Sequence, residues 1–167
     1  LVEGLKTSID LGHAHLRAVD GIDLDLRRGE TLAIVGESGC GKSMAALSIL
    51  RLLPDAAQID SGSAVLDGTD VLRLPESAMR DVRGRRIGIV FQEPGTSLNP
   101  VMTVGEQITE VLKRHSRRSG DSRKRAEELL ADVGIPEPTR RLGEYPFQLS
   151  GGMKQRVMIA MALAADP

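Results

Sequence analysis

The chain has 167 residues, a formal net charge of −1, 41% hydrophobic, 27% charged and only 2% aromatic residues. That length accommodates one core of ordinary size, which aliphatic side chains must fill. The balanced charge gives no global pull toward nucleic acid, no apolar run reaches the ~18 residues of a membrane span, no signal peptide is recognisable, and a single cysteine excludes an internal disulfide and fits a cytosolic setting. The first residue is Leu1, so both ends read as cut from a longer chain.

Residues 1–28 read as strands and turns, with alternation through Val19, Ile22, Leu24 and Leu26. The apolar run 31–35 has the composition of a buried parallel strand, and 36–41 follows as a glycine-rich loop. Residues 43–53 read as a helix stopped by Pro54, and 55–75 as short strands with turns at Gly62 and Gly68. Residues 87–91 form a second strand of the buried type, and 94–100 an irregular loop. Val104, Ile108, Val111 and Leu112 are spaced for one helical face. Ala126, Leu129, Leu130 and Val133 form a second stripe, closed by Gly134. Residues 135–148 hold three prolines and read as a connector, and 153–165 as a helix apolar nearly all round, hence buried. The pattern is that of an α/β domain with an attached helical region at roughly 95–150.

Gly36-Glu37-Ser38-Gly39-Cys40-Gly41-Lys42-Ser43 matches G-x-x-x-x-G-K-S/T, with an apolar run before it and a helix after it. Each residue type has a chemical reason. Gly36, Gly39 and Gly41 let backbone N–H groups converge on a polyphosphate, and the positive end of the following helix points at the same anion. Lys42 reaches the β- and γ-phosphates, and the Ser43 hydroxyl supplies a ligand to Mg²⁺. Met44 continues the helix whose first amides face the phosphates. A plain glycine turn is the alternative, and the flanking elements argue against it. Cys40 is first of all a small residue that fits the turn. A helix N-terminus also favours a thiolate, so alkylation there should block nucleotide.

The run 87–91 ends in Gln92, whose amide can accept from Mg²⁺-bound water or orient an attacking water. Alone, a glutamine ending a strand is ordinary polar surface. Further on, Tyr145-Pro-Phe-Gln-Leu149-Ser-Gly-Gly-Met-Lys-Gln-Arg156 places Ser150 as a helix N-cap and leaves Gly151 and Gly152 bare at the helix start, open to an outside phosphate.

The phosphate loop, the glutamine with its Glu-Pro…Thr-Ser-Leu-Asn-Pro…Thr-Val-Gly-Glu-Gln continuation, and Leu-Ser-Gly-Gly-Met-Lys-Gln-Arg together resemble the ATPase subunits of ATP-binding-cassette (ABC) transporters. The glutamine run is especially similar to those of bacterial oligopeptide, dipeptide and nickel importers. The resemblance runs from about Leu5 to Pro167. It implies a P-loop NTPase of ABC type: a parallel-sheet core with N-terminal antiparallel strands (1–94), a helical subdomain (95–150) and a signature helix returning to the core (151–167). It implies ATP and Mg²⁺ as cofactors, with Ser43 and Gln92 toward the metal and Lys42 and Gln92 as catalytic groups. Ser150, Gly151 and Gly152 would grip the γ-phosphate of ATP held by a second cassette, identical or different. Further implied partners are integral-membrane permease subunits and, indirectly, an external substrate-binding protein, with no nucleic acid. The implied location is peripheral, on the cytoplasmic face of the bacterial inner membrane.

Two departures accompany the resemblance. Many cassettes stack adenine on an aromatic residue, and the matching position here is Ile9. Family members also continue into an apolar Walker B strand ending in Asp-Glu and then a histidine. The chain stops before it, and Val65-Leu66-Asp67-Gly68 is no substitute, because no acid follows Asp67. The expected function is therefore the ATP-binding subunit of a peptide or nickel importer, hydrolysing MgATP when complete. Two alternatives are a catalytically inactive nucleotide-binding module and a soluble, non-transport ABC ATPase. Residues 113–125 carry seven lysines or arginines and one acid, Asp121, and read by default as a solvated surface, with contact to a lipid headgroup or a permease loop as the alternative and nucleic acid disfavoured by the lack of interleaved aromatics. His13 and His15 lack the further ligands a metal site needs.

Overall fold

The computed structural model describes residues 1–115 and 120–167. They divide into two compact units, Leu1–Met79 and Arg80–Pro167.

In the first unit, β1 (Val2–Asp10) and β2 (His15–Leu24) form a hairpin, followed by α1 (Lys42–Leu50), β3 (Ala57–Leu66) and β4 (Thr69–Asp70). The strands make one antiparallel sheet in the order β2-β1-β3-β4. The Asp67-Gly68 pair, both at positive φ (46° and 80°), makes the two-residue turn from β3 to β4, because only that geometry matches the twist of the flanking strands. Gly62 lies inside β3 rather than at a turn: at φ 105°, a Cβ there would come 2.6 Å from the Leu5 Cα, so glycine lets β3 close on β1. Helix α1 lies against β1 and β2. Its Ser48 hydroxyl donates to the Met44 carbonyl (2.6 Å) and pairs with the Thr7 hydroxyl of β1 (2.7 Å), both side chains fully buried. Arg51, at φ 52°, ends the helix three residues before Pro54. Leu5, Val19, Ala45, Leu50, Ala64, Val71 and Met79 supply the buried apolar side chains.

The second unit is helical. Helix α2 (Glu76–Arg85) begins in the first unit and breaks at Arg83 and Gly84 (φ 100°). It is followed by α3 (Pro94–Ser97), α4 (Val104–His115), α5 (Ser122–Asp132), α6 (Pro138–Arg141) and α7 (Gly151–Leu163). The predicted stripes of α4 and α5 meet α7 in one apolar cluster that includes Val104, Ile108, Leu112, Ala126, Leu129, Leu130, Val157 and Met158; α7, expected to be buried all round, instead buries one face and leaves Ile159 and Leu163 exposed. Thr103 and Glu106 form a capping box on α4. The Glu106 carboxylate accepts from the Thr103 amide (2.7 Å) and hydroxyl (2.8 Å), and the Thr103 hydroxyl accepts from the Glu106 amide (3.3 Å). Those bonds, amide first, hold the Glu106 carboxyl below its ordinary pKa. Gln107, buried, ties the preceding loop: its carbonyl accepts from the Asn99 amide (2.9 Å), and its NH₂ donates to the Asn99 (3.1 Å) and Met102 (3.0 Å) carbonyls.

The structure departs from the sequence reading at both apolar runs. Residues 31–35 carry no strand, and Val35 is 91% exposed; after an isolated parallel bridge from Ile87 to Arg83, residues 88–91 carry none either. A buried parallel strand takes its hydrogen bonds from neighbouring strands, and no described strand pairs with either run. Composition alone marked them as strand-forming. Of the basic run 113–125, residues 116–119 lie outside the described residues.

The His115 ring packs over Gly84, with a Cβ built there falling 3.1 Å from three ring atoms, and its Nδ1 is buried without a hydrogen-bond partner. Burial, then the Arg114 and Arg85 cations, hold the imidazole below its ordinary pKa, with Asp81 opposing. The unfolded chain therefore takes up this proton first as pH falls through about 6.5, so the contribution is fully present above that pH and declines below it. Thermal melts between pH 7.5 and 5.5 should show a falling Tm that His115→Gln flattens; an unchanged slope in the variant would contradict this. Gln107→Leu strands the Asn99 amide and should cost about 2 kcal/mol, read as a lower urea midpoint at constant m; an unshifted midpoint would deny the glutamine its role.

Candidate functional site

In the first unit the phosphate loop is built around the Lys42 ammonium, which donates to the carbonyls of Gly36 (2.7 Å) and Glu37 (2.6 Å) and lies 3.3 Å from Cys40 Sγ. Gly41 caps α1 at φ 93°, and a Cβ there would sit 2.1 Å from the Ala18 carbonyl oxygen of β2. No other residue allows that backbone and that approach together. At Gly36 an added Cβ would meet Cys40 Sγ at 2.7 Å, whereas Gly39, at φ 84°, faces open space. Glu37, Ser38, Cys40 and Ser43 are exposed and Met44 half-buried. The first amides of α1 have no intrahelical partners, and α1 has no side-chain cap at its N-terminus.

These features fit a polyphosphate: uncapped amides at a helix start, open space beside Gly39, and an ammonium already among carbonyls. The donor set also suits Mg²⁺ in one specific way. Among the described residues no group of three or more His, Cys, Asp or Glu side chains could hold a metal. Mg²⁺ here would take the Ser43 hydroxyl together with phosphate oxygens and water, its usual arrangement.

In the second unit, Gln92 is exposed, in the stretch before α3. Ser150 caps α7, its hydroxyl accepting from the Met153 amide at 3.3 Å. Gly151 and Gly152 are exposed, and a Cβ at either would meet nothing within 4 Å, so the helix start is bare to an incoming anion. The structure thus brings Gly36, Glu37, Cys40 and Lys42 together in one unit. It groups Ser150, Gly151 and Gly152 at a helix start in the other.

Supports that the sequence reading did not single out position these groups. The amides of Val104 and Gly105, at the start of α4, donate to the carbonyls of Glu144 (2.9 Å) and Leu142 (2.9 Å), just before the Ser150 segment. A Cβ on Gly105 would meet the Leu142 oxygen at 2.8 Å, so glycine permits the junction. Glu144, 9% exposed, takes both oxygens to Arg141 Nη1 (3.0 and 2.8 Å). Arg156 of α7 donates to the Gly134 carbonyl (2.5 Å) beyond the end of α5. A stacked, exposed pair, Tyr145 and Phe147 (centroids 5.6 Å apart), precedes the Ser150 cap. The Thr-Val-Gly-Glu capping box was the one available sequence signal for the α4 junction; the rest pair residues distant in sequence.

A family model described as ABC transporter matches residues 19–167. The oligopeptide transport ATP-binding protein OppD of Bacillus subtilis is 48% identical over 99% of this chain and 47% of its own length. A probable peptide ABC transporter ATP-binding protein, y4tR of Sinorhizobium fredii, is 52% identical over 99% of this chain and 50% of its own. The chain therefore spans about half the length of these curated relatives. Among solved structures, the ATP-binding cassette MJ0796, as a post-hydrolysis dimer bound to ADP and Pi, superimposes with a TM-score of 0.87 at 31% identity, covering 100% of this chain and 71% of that one.

Because Cys40 Sγ touches Lys42 Nζ inside the loop, stoichiometric N-ethylmaleimide modification of this single thiol is expected to abolish nucleotide binding in a fluorescent-ATP titration. Full binding after modification would show that the loop tolerates the added bulk and does not hold the phosphates.

Proposed function

The chain belongs to the ABC transporter family, and on that premise we propose that it is the nucleotide-binding part of an importer's ATPase subunit, driving uptake of short peptides or a related small solute such as nickel. The observation that carries this reading is the phosphate loop, with Lys42 held by the Gly36 and Glu37 carbonyls at the bare start of α1. The proposed layout is a phosphate-loop core at 1–94, a helical subdomain at 95–150 and the signature helix at 151–167.

Each residue has a proposed task. The amides of residues 37–44 bind the polyphosphate, and Lys42 exchanges its carbonyl contacts for phosphate oxygens, where its charge offsets the charge that builds up on the transferring group. Ser43 orients the metal ion, and Gln92 orients metal-bound or attacking water. When bound, Mg²⁺ neutralises charge on the β- and γ-phosphates. Ile9 stands opposite Leu16 in the β1–β2 register, and this apolar pair would contact adenine where an aromatic ring is lacking. Ser150, Gly151 and Gly152 would close on the nucleotide of a second cassette. ATP would then act as glue between two chains, and each turnover would move two permease subunits. No described helix is long and apolar enough to cross a membrane, in keeping with a peripheral subunit at the cytoplasmic face, supplied with solute by an external binding protein.

Hydrolysis needs a carboxylate to polarise the attacking water, and these 167 residues contain no apolar run ending in Asp-Glu. The chain alone is therefore expected to bind ATP and turn it over at background. Lys42→Ala removes a charged hydrogen-bond donor to phosphate and should weaken ATP binding by roughly 10- to 100-fold, measured by nucleotide titration. Unchanged affinity would sink the nucleotide site, and brisk, Lys42-dependent phosphate release by the chain alone would sink the inactive reading.

A further inference from the structure

We propose that Tyr145 and Phe147 form the stacking surface for the purine base of the nucleotide whose terminal phosphate meets the Ser150 helix start from a second chain. The sequence has only three aromatic residues, two Phe and one Tyr. All three are exposed, so none fills a core. The rings of Tyr145 and Phe147 are stacked, with planes 9° apart and centroids 5.6 Å apart. That is a preferred arrangement for two rings. Phe147 is 72% exposed, so its face turned away from Tyr145 meets solvent.

The backbone fixes the pair and holds it outward. Glu144, Pro146 and Leu149 are buried, while Tyr145 and Phe147 are exposed. Pro146 opens a single tight turn, Pro146–Gln148. The Gln148 amide donates to the Tyr145 carbonyl (2.9 Å), and the Tyr145 amide donates to the Gln148 side-chain carbonyl (2.8 Å). Upstream, the Val104 amide donates to the Glu144 carbonyl (2.9 Å). Downstream, Leu149 sits in the apolar cluster. A pair anchored on both sides has little freedom left to lose when a ligand binds.

Two features select the ligand. The rings stand five and three residues before Ser150, beyond which Gly151 and Gly152 are bare. Three residues of chain reach at most about 11 Å, so rings and helix start can hold two ends of one small molecule. The helix start suits its phosphate, and the open ring face suits its base. The patch is also small. From 143 to 152 no other exposed side chain is apolar. Patches that mark protein docking exceed a few hundred Å² of continuous apolar surface, and two partly exposed rings fall short of that. The stacking supplies a second face for the base. Ile9 and Leu16 meet one face within the chain that holds the phosphates, and Phe147 of the second chain covers the other. The inference rests on the proposed enclosure of ATP by two chains.

The single tyrosine gives a direct readout. With 3-fluorotyrosine incorporated, Tyr145 yields one fluorine NMR resonance. The full chain is titrated with MgATP, and separately with magnesium tripolyphosphate, which has no base. Sedimentation of the same samples reports the dimer. A saturable ring-current shift is expected with MgATP, in step with the dimer, and none with tripolyphosphate. Phe147→Ala should weaken the MgATP-driven dimer by about 5- to 150-fold. Phe147→Trp should restore it and Phe147→Leu should not, with each fold checked by circular dichroism. A dimer without the shift, an equal shift with tripolyphosphate, or undiminished dimerisation by folded Phe147→Ala would each overturn the proposal and leave the two-chain enclosure standing. A shift without a dimer would place the base on its own chain and overturn it too. No dimer and no shift with MgATP would remove the enclosure, and the proposal with it. If the variants do not fold, the comparison of MgATP with tripolyphosphate on the native chain decides.

Discussion

Helix α1 is fixed at both ends by contacts that leave no slack, and the phosphate loop depends on both. At its start, Gly41 meets the Ala18 carbonyl so closely that a single Cβ would lie 2.1 Å from the oxygen. Near its end, the Ser48 hydroxyl, already donating to Met44, pairs with the buried Thr7 of β1. A helix held this way presents its unpaired amides in one direction. The loop before it has only to fold back over Lys42, which it does through two carbonyls. Fixed dipoles of this kind bind an anion without paying to reorganise at the moment of binding.

The second unit solves a related problem differently. Helix α7 also offers a bare N-terminus, but here Ser150 caps it and the two following glycines keep it uncovered. The segment leading into it is anchored by the start of α4, whose first two amides bond the Leu142 and Glu144 carbonyls. Gln107, on that same helix, organises the loop that follows Gln92. One helix start therefore supports both the stretch after the glutamine and the stretch before the signature serine, a physical route by which a push on one would reach the other.

Much of this was legible because the signals are local. The glycine spacing of the phosphate loop, Ser150 before a helix, Gly134 after one, and the apolar stripes of α4 and α5 each depend on residues a few positions apart. Illegible features depend on partners far along the chain. Residues 31–35 have strand composition, but a ladder needs a neighbour that composition cannot name. Gly62 looks like a turn and is instead the point where β3 closes on Leu5. Thr7 with Ser48, and Arg156 with Gly134, are pairs that no periodicity announces.

The central claim is that the phosphate loop and the Ser150 helix start serve different nucleotides, so that two chains enclose each ATP. The protein's one cysteine, Cys40, lies in the loop, which makes oxidative cross-linking of a Ser150→Cys chain the direct measurement. A disulfide needs Cα atoms within about 7 Å. In the presence of MgATP a covalent dimer that runs at twice the monomer mass on a non-reducing gel is expected, with none formed by the parent chain. A disulfide closing within a single monomer would contradict the account.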